Sequence, residues 1–413
     1  MLRVIETFSG IGSQSQALKN IGVEHEVVAI AEWDIHAIFA YDIMHNGKQD
    51  LKSLRHHTKD SIVRELMGYN LSGDGKKPLT ENALKSMPMI QLKSILMAVN
   101  RCNNLVDISE VHSQDLPKAD ILTYSFPCQD LSVSGHWHNN TSGIDRNANN
   151  RSTLLWQIER ILMEYQATQK TLPKYLVMEN VSNILSKRHI DNFREWQSFL
   201  EDLGYVNKVY TLDARNFGVP QSRKRTFMIS VMATETVYRE KILRYFEENN
   251  LERYKETQRS SSLRDYLRLD YSEDKYRKEA LESTPSYTES RKKIYENNVV
   301  LATGKNVVES EVAKTITTKQ DRHPNSGIIQ YDNQTVLTQD NIYYRNLTPR
   351  ECFLLMGFEE EQFDFLLKHN MEIQKGKQFL STSKLIKMAG NSIVVPVLEK
   401  IFEQIVEISK IKG

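Results

Sequence analysis

The sequence has few cysteines, no long apolar run and almost no net charge, and each absence excludes a class of protein. Its 413 residues contain three cysteines, Cys102, Cys128 and Cys352, in unrelated contexts and without metal-site spacing, which argues against a disulfide framework and against zinc. No apolar stretch approaches membrane-spanning length, and the chain runs directly into a strand pattern rather than a signal peptide. We therefore expect a reduced, soluble, cytoplasmic protein without a membrane partner.

The net charge of +1 gives no overall basic signature. A nucleic acid would have to be held by a local patch of basic side chains. A chain of this length can bury a sizeable core and is expected to form two domains.

The first part of the chain has the pattern of a cofactor-binding βαβ unit. A strand at Leu2–Thr7 is followed by a tight Gly10-Ile11-Gly12 turn and a helix at Ser13–Asn20. The third glycine of a dinucleotide fingerprint is missing, but a cofactor without a pyrophosphate does not need it. Glu32 follows a second strand, Val27–Ile30, where a ribose diol is commonly bound. The alternative is that Glu32 is a solvated strand end.

A cysteine follows the next buried strand. The apolar run Ile121–Tyr124 ends in Ser125-Phe126-Pro127-Cys128-Gln129, which places the Cys128 thiol at the sheet edge where α/β proteins bind ligands. By itself, a cysteine in such a place is more often buried and inert than reactive. Residues 129–150 are rich in Gly, Ser and Asn, which is typical of an active-site loop. His136 and His138 lie in this loop without partners at ligand spacing, so we expect no metal site.

Charged residues adjoin two further strands. The apolar run Tyr175–Met178 delivers Glu179 to the same sheet edge, although Glu179 could instead cap a helix or form a salt bridge. Arg223 and Arg225 precede the strand Thr226–Val231, and strand periodicity predicts that both lie on one side of it. They could be ordinary surface charge, but their place at the head of an apolar strand favours a site-facing role.

Five short motifs, taken in this order, resemble the prokaryotic type of the DNA (cytosine-5)-methyltransferase family, which uses S-adenosyl-L-methionine. The resemblance covers most of residues 1–231 and then 345–400. The motifs are Val4–Ser13, Pro127-Cys128-Gln129, Met178-Glu179-Asn180-Val181, Gln221–Arg225 and Gly390-Asn391-Ser392.

The resemblance implies an α/β fold with two domains. Residues 1–231 with 386–413 would form a Rossmann-like S-adenosylmethionine-dependent methyltransferase domain with a mainly parallel sheet. Residues 232–385 would form a smaller target-recognition domain. Residues 42–104 depart from the family pattern and are predicted to be a helical insertion. This insertion could be a solvated embellishment, or it could contact DNA or a partner.

The resemblance also assigns binding residues. The Thr-, Asn- and Lys-rich stretch around 314–327 suits contacts to DNA phosphates and base edges, although such composition is also ordinary for a loop-rich domain. The implied cofactor contacts are Phe8, Gly10, Ile11, Gly12, Glu32, Trp33, Asp107, Ile108, Pro127, Leu154, Asn391 and Ile393. The implied DNA contacts are Gln129, Ser132, Ser134, Thr315, Lys319 and Arg322.

The chemistry implied by the family is covalent catalysis on a cytosine turned out of the duplex. The Cys128 thiolate would add to C6 while Glu179, kept protonated by partial burial, protonates N3. Arg225 would hold the ring carbonyl, with Arg223 supporting it. The expected partner is double-stranded DNA, bound by a monomer, with a restriction endonuclease as a functional rather than physical partner.

Two alternatives stay open. The first is a tRNA cytosine-5 methyltransferase of the same family, although the long region 232–344 favours DNA because reading a groove needs a dedicated domain. The second is a binding protein or a nicotinamide-dependent α/β enzyme in which Cys128 is structural. That alternative leaves Glu179, the two arginines and Asn391 unexplained.

Overall fold

The structure is a computed structural model that describes residues 1–127, 144–146, 151–257, 262–286, 288–303, 307–322, 324–331 and 344–411. The chain divides into two compact units. The first unit is Met1–Leu212, Lys224–Tyr254 and Val397–Gly413, and the second is Asp213–Arg223 and Lys255–Pro396. The domain boundaries drawn at 231 and 386 from the sequence remain a prediction.

The described part of the first unit contains a six-stranded sheet in the order β2-β1-β3-β4-β7-β5. β1 pairs in parallel with β2 and β3, β3 pairs in parallel with β4, and β7 is antiparallel to β4. The carboxyl ends of β1 to β4 therefore meet at one edge, as expected for a mainly parallel sheet. The strands of the chain are β1 (Leu2–Thr7), β2 (His25–Ala31), β3 (Ile121–Tyr124), β4 (Tyr175–Val181), β5 (Tyr205–Asp213), β6 (Gln221–Ser222), β7 (Lys224–Met232), β8 (Val300–Ala302), β9 (Ala313–Lys314), β10 (Ile328–Gln330), β11 (Tyr344–Arg345), β12 (Glu372–Gln374) and β13 (Lys377–Gln378).

The helices surround this sheet or belong to the second unit. Those of the described residues are α1 (Ser13–Asn20), α2 (Ile35–Asn46), α3 (Lys59–Leu66), α4 (Glu81–Ser86), α5 (Met89–Arg101), α6 (Leu155–Ala167), α7 (Ile190–Asp202), α8 (Thr236–Glu248), α9 (Asp274–Glu282), α10 (Glu289–Asn297), α11 (Pro349–Leu354), α12 (Glu360–Lys368), α13 (Thr382–Asn391) and α14 (Val395–Ile408). None of these helices is long and apolar enough to cross a membrane.

The central strands are buried over most of their length because helices cover both faces of a parallel sheet. All four residues of β3 are buried, as are the first four of β4. Trp196 of α7 packs on one face, and its indole N–H donates to the Tyr124 hydroxyl over 3.1 Å. On α14, Gln404 accepts from the Tyr210 hydroxyl of β5 over 3.2 Å, so the last helix packs on the sheet.

The segment 42–104 contains α3, α4 and α5, and α5 packs beside α2; that it is an insertion remains a prediction. The Asp42 side chain is fully buried and forms an ion pair with Arg101 Nε at 3.2 Å. Gln49 donates both to Asp42 and to the Ser94 carbonyl, over 2.9 and 3.0 Å. These contacts tie the end of α2 to α5. The insertion is therefore a packed part of the first unit.

The second unit contains short strands and a buried ion pair. Its described sheets have the orders β11-β10-β8, β12-β13 and β6-β9. Arg345 and Glu351 are both fully buried and approach to 2.8 Å, and Glu351 closes a capping box with Thr348 at the start of α11. Cys352, the next residue along α11, is also fully buried.

Glu6 is a fully buried carboxyl in the central strand β1. Burial raises the pKa of Glu6 to about 8, which the nearby Tyr41 hydroxyl and Ser15 backbone offset only in part. At neutral pH the folded protein therefore holds this group mostly uncharged. Glu6 is assigned no role in chemistry, so the burial of its carboxyl affects only the stability of the fold.

Glu6→Gln is expected to stabilise the protein increasingly as the pH rises. The pKa of the Glu6 carboxyl is near 4.5 in the unfolded chain and about 8 in the fold. The folded state therefore binds the proton more tightly. The wild type therefore loses stability between these two pH values, by up to about 1.4 kcal/mol per pH unit, whereas the glutamine variant does not. Urea unfolding at pH 5, 6, 7 and 8 measures the difference.

The control is Glu26→Gln, at an exposed position of β2. Its stability should follow the wild type at each pH. If the curves of the wild type and Glu6→Gln stay parallel from pH 5 to 8, Glu6 does not carry the shifted pKa.

Candidate cofactor and active site

The turn after β1 has a backbone conformation that glycine favours. Phe8, Gly10 and Gly12 have positive φ angles of 56°, 56° and 80°. A left-handed conformation is costly for a residue with a Cβ, so two of the three positions are glycine. The Phe8 N–H donates to the Ala31 carbonyl at the end of β2 over 2.7 Å, which joins the turn to the neighbouring strand.

His45 of α2 supports this turn from below. Its Nε2 lies 2.9 Å from the Ile11 carbonyl, which can only accept a hydrogen bond. Burial lowers the pKa of His45 to about 4, so the ring is neutral at pH 7. A Cβ on Gly12 would lie 2.3 Å from the same Nε2. The turn can therefore pack against His45 only with glycine at position 12.

Glu32 lies at the tip of β2 with its carboxylate over the glycine turn. Oε2 accepts from the Gly10 N–H over 3.0 Å, and Oε1 accepts from the N–H groups of Trp33 and Asp34, each over 2.9 Å. Burial nevertheless raises the pKa of Glu32 to about 7. The carboxylate is thus held in one orientation, and the alternative of a freely solvated strand end does not describe it.

Asp107 and Ile108 follow the insertion. Asp107 Oδ2 accepts from the Asn70 side chain and Oδ1 from the Ser109 N–H, each over 3.0 Å. Ile108 is buried in the main core of the first unit. Val106, just before them, has a φ of 65°, which is strained for a β-branched residue. The Asp107 carboxylate can accept hydrogen bonds from donors on the edge of a planar ring. The apolar Ile108 side chain beside it can pack against the face of that ring.

Asn180 connects the end of β4 to the segment that leads to Cys128. Its side chain is buried and donates to the Phe126 carbonyl over 3.0 Å. Phe126 is also buried, next to the partly buried Pro127. The backbone two residues before Cys128 is therefore fixed against the neighbouring strand.

Glu179 and Arg225 form an ion pair at the same edge. Val181 lies opposite Arg225 in the β4–β7 ladder, and Glu179 is two residues earlier, so the side chains of Glu179 and Arg225 share a face. Arg225 Nε approaches Glu179 Oε1 to 3.3 Å, and the two side chains are 18% and 12% exposed. The salt bridge considered for Glu179 is thus present, and it links two residues predicted to be catalytic.

The prediction that Arg223 and Arg225 share one side of a strand is wrong. Arg223 lies between β6 and β7, outside both strands, and belongs to the second unit. Its buried guanidinium donates to the carbonyls of Ile316, Gly390 and Ser392 over 2.8, 3.1 and 2.8 Å. The strand is interrupted at Arg223 because this side chain donates to backbone carbonyls of other segments of the second unit.

The segment around Ile316 is fixed inside the second unit. The Ile316 N–H donates to Gln221 Oε1 over 2.9 Å, and the Thr315 hydroxyl donates to the Ser222 carbonyl over 2.5 Å. Lys319 and Arg322, further along this loop, are exposed. A Cβ on Gly390 would lie 2.4 Å from the Thr317 carbonyl carbon, so α13 can approach this segment only at a glycine.

Several predicted residues have less structural context. Cys128, Gln129, Ser132 and Ser134 lie outside the described residues. Leu154 ends a 3-10 turn before α6 and packs partly buried on the core. The remaining predicted cofactor contacts lie in the second unit, where Asn391 is exposed at the end of α13 and Ile393 is buried.

Three supporting residues were not predicted from the sequence: His45, Asn104 and Asn180. Each makes a side-chain hydrogen bond to a backbone group beside a predicted site residue, in the first unit. Asn180 belongs to the motif Met178-Glu179-Asn180-Val181, in which only Glu179 was assigned a role. His45 and Asn104 carry no sequence signal of their own. Among the described residues, no group of three or more His, Cys, Asp and Glu side chains is arranged to hold a metal ion.

Solved structures support the fold. The Dnmt2 methyltransferase of S. pombe superimposes with a TM-score of 0.59 over all of both chains at 17% identity. A methyltransferase of Entamoeba histolytica, EhMeth, gives a TM-score of 0.57 at 14% identity over 100% of this chain and 99% of that one. These similarities confirm the α/β methyltransferase fold expected from the sequence.

Sequence comparison identifies the family. Residues 91–407 match the family model of the C-5 cytosine-specific DNA methylases. The chain is 32% identical to the type II methyltransferase M2.ScrFI of Lactococcus lactis subsp. cremoris over 98% of this chain and 99% of the relative. It is also 32% identical to the orphan methyltransferase M.SssI of Spiroplasma monobiae over 98% and 97% of the two chains. The chain therefore belongs to the C-5 cytosine-specific DNA methylase family.

Proposed function

We propose that the protein methylates C5 of a cytosine turned out of a short, specific duplex DNA sequence, through a transient covalent bond between Cys128 and C6. The observation that carries the proposal is the Glu179–Arg225 pair at the edge of the sheet. Asn180, the neighbour of Glu179, holds the backbone just before Pro127 and Cys128. The acid, the guanidinium and the segment leading to the thiol thus come from adjacent strands.

The methyl donor of this family is S-adenosyl-L-methionine, and the residues of the first unit fit it. The Glu32 carboxylate can accept from both hydroxyls of a ribose, and Asp107 can accept from the exocyclic amine of adenine. The left-handed turn at Phe8, Gly10 and Gly12 exposes backbone close to Glu32. When bound, the cofactor supplies an electrophilic methyl group on a sulfonium centre.

The chain's own residues would make the cytosine nucleophilic. The ring carbon C5 is a weak nucleophile until a thiolate has added to C6. The Cys128 Sγ–C6 bond forms as Glu179 delivers a proton to N3, which leaves an enamine that attacks through C5. Once C5 carries the methyl group, loss of the C5 proton to a base, expulsion of the thiolate from C6 and return of the N3 proton to Glu179 restore the neutral aromatic ring.

Arg225 is proposed to stabilise charge on the base. A guanidinium has five N–H donors, so Arg225 can pair with Glu179 and still donate to the ring carbonyl at C2. Its partial burial strengthens both interactions relative to water. Arg223, by contrast, is proposed to fix the recognition segment at Ile316, because its contacts described above are to backbone carbonyls of the second unit.

Base flipping and target recognition are proposed on chemical grounds. C6 of a stacked cytosine cannot be reached by a thiol, so the base must leave the duplex. The exposed Lys319 and Arg322 of the second unit are proposed DNA contacts, together with Thr315 and, in the loop after Cys128, Gln129, Ser132 and Ser134. Asn391 and Ile393 are proposed to complete the cofactor site.

The biological role is proposed as DNA modification of the restriction-modification type. One relative is named a type II methyltransferase and the other an orphan methyltransferase. A cognate endonuclease would be a functional partner that shares the target sequence. We propose that the enzyme acts as a monomer, since one chain carries every residue used in the proposed chemistry.

The first test is methylation of mixed-sequence duplex DNA by the wild type and by Cys128→Ala. We expect 5-methylcytosine within one short sequence for the wild type and none for the variant, because alanine cannot add to C6. Bisulfite sequencing maps the product. Methylation by Cys128→Ala at the wild-type rate would overturn the covalent mechanism.

The same experiment separates the substrates. A tRNA pool incubated in parallel is expected to stay unmodified. Methylation of tRNA without methylation of duplex DNA would favour the RNA alternative. Cys128→Ala should bind S-adenosylhomocysteine as tightly as the wild type does in calorimetry. This result would show that the variant is folded.

Glu179→Gln is expected to lower the methylation rate in a single turnover by about 100-fold or more, because glutamine cannot deliver a proton to N3. Binding of the target duplex should change little, since the amide keeps the shape of the side chain. The control is Glu201→Gln, at an exposed position of α7. An unchanged single-turnover rate in Glu179→Gln would remove Glu179 from the proposed chemistry.

Binding of S-adenosylhomocysteine is expected to tighten as the pH rises from 6 to 8. The pKa of Glu32 is about 7 in the free protein, and ribose hydroxyls donate to its ionised form. Binding therefore releases a proton, and affinity increases through this pH range. Calorimetry in two buffers of different ionisation enthalpy measures the proton release. Glu32→Gln should bind more weakly without this pH dependence, and an equal dependence in both proteins would contradict the assignment.

A further inference from the structure

The insertion, residues 42–104, contacts the β2 tip from two sides. The backbone of Ser72 pairs with it on one side: the Ser72 N–H donates to the Trp33 carbonyl over 2.7 Å, and the Ile35 N–H donates to the Ser72 carbonyl over 3.0 Å. Asn104 lies on the other side, where it forms a parallel bridge with Ile30. The tip that carries Glu32 is therefore held between two parts of the insertion.

The Asn104 side chain continues this pairing past the end of the strand. Its Oδ1 accepts from the Glu32 N–H over 3.0 Å, and its Nδ2 donates to the Glu32 carbonyl over 2.9 Å. A carboxamide that both accepts from and donates to one residue acts as a neighbouring peptide group would. Oδ1 also accepts from the N–H of the strained Val106 over 3.0 Å, and Asn104 is only 4% exposed.

A second asparagine of the insertion reaches the other predicted cofactor carboxylate. Asn70 Nδ2 donates to Asp107 Oδ2 over 3.0 Å. Asn70 precedes Leu71 and Ser72, which are 1% and 0% exposed, so its backbone is anchored in the core of the unit. Glu32 and Asp107 thus each have an asparagine of the insertion as a partner, Asn104 through the Glu32 main chain and Asn70 through the Asp107 carboxylate.

We propose that the insertion positions the cofactor site, with Asn104 orienting Glu32 for the ribose and Asn70 orienting Asp107 for the adenine. This inference rests on the proposed roles of Glu32 and Asp107. It gives the insertion a function within the enzyme, in place of the solvated embellishment or the partner contact that the sequence left open. Asn104 and Asn70 act through the carboxylates and are positioning residues.

Matched substitutions test the two positions separately. Asn104→Asp and Asn70→Asp keep side-chain shape but remove the Nδ2 donor, and each adds a negative charge. Asn100→Asp, at an exposed position of α5, introduces the same change as a control. Three probes are used in calorimetry with each protein: S-adenosylhomocysteine, its 2′-deoxyribose form and its hypoxanthine form.

The expected result is a crossed pattern. In the wild type, each altered probe should bind more weakly than S-adenosylhomocysteine. Asn104→Asp should weaken S-adenosylhomocysteine about tenfold or more and reduce the penalty for the deoxyribose probe, while the penalty for the hypoxanthine probe stays. Asn70→Asp should show the reverse. Asn100→Asp should bind all three probes as the wild type does.

Each other outcome contradicts a defined part of the argument. If Glu32→Gln keeps the full deoxyribose penalty, the proposed role of Glu32 fails. If Glu32→Gln removes that penalty and Asn104→Asp keeps it, the positioning role of Asn104 is overturned. If both Asn variants lower both penalties together with the melting temperature, the insertion is a structural support without positional selectivity, which also overturns the proposal.

Discussion

The orientation of Glu32 depends on main-chain hydrogen bonds that continue past the end of β2. Peptide groups at the end of a strand need partners when the strand is buried, and water cannot supply them inside the fold. Here Ser72 pairs with the backbone around Asp34, and the Asn104 carboxamide pairs with Glu32 itself. The carboxylate can then lie over the glycine turn and accept from Gly10. The hydrogen bonds that satisfy the backbone at the end of β2 thus also fix the orientation of the Glu32 carboxylate.

The same sheet edge concentrates groups whose charge depends on burial. Burial holds the pKa of Glu32 near 7 and that of His45 near 4, and both side chains contact the glycine turn. Neither group needs a charged partner, because each is bonded to backbone. Arg225, in contrast, faces the Glu179 carboxylate directly. Backbone hydrogen bonds to Glu32 and His45 at the glycine turn and the ion pair between Glu179 and Arg225 are thus two different electrostatic arrangements at one edge of the sheet.

The sequence predicted several regular elements well because they depend on local pattern. The strands at Leu2–Thr7 and Ile121–Tyr124 are confirmed residue for residue, since each contains a run of four buried residues. The side-chain partners were not predictable in the same way. Asn104 and Asn70 are distant in sequence from Glu32 and Asp107, the residues that they contact. Both lie in a segment that departs from the family pattern. A carboxamide that replaces a peptide group leaves no periodicity to detect.

The error at Arg223 has a physical cause that applies more widely. Alternation along a strand assumes that every residue stays in the ladder, but a buried guanidinium requires acceptors for its donors. Arg223 finds three backbone carbonyls in the second unit, and the strand is interrupted there. Arg225, two residues later, remains in β7, and its side chain forms an ion pair with Glu179 of the neighbouring strand. Two arginines in one short motif can therefore serve different units, one bound to backbone carbonyls and one paired with a carboxylate.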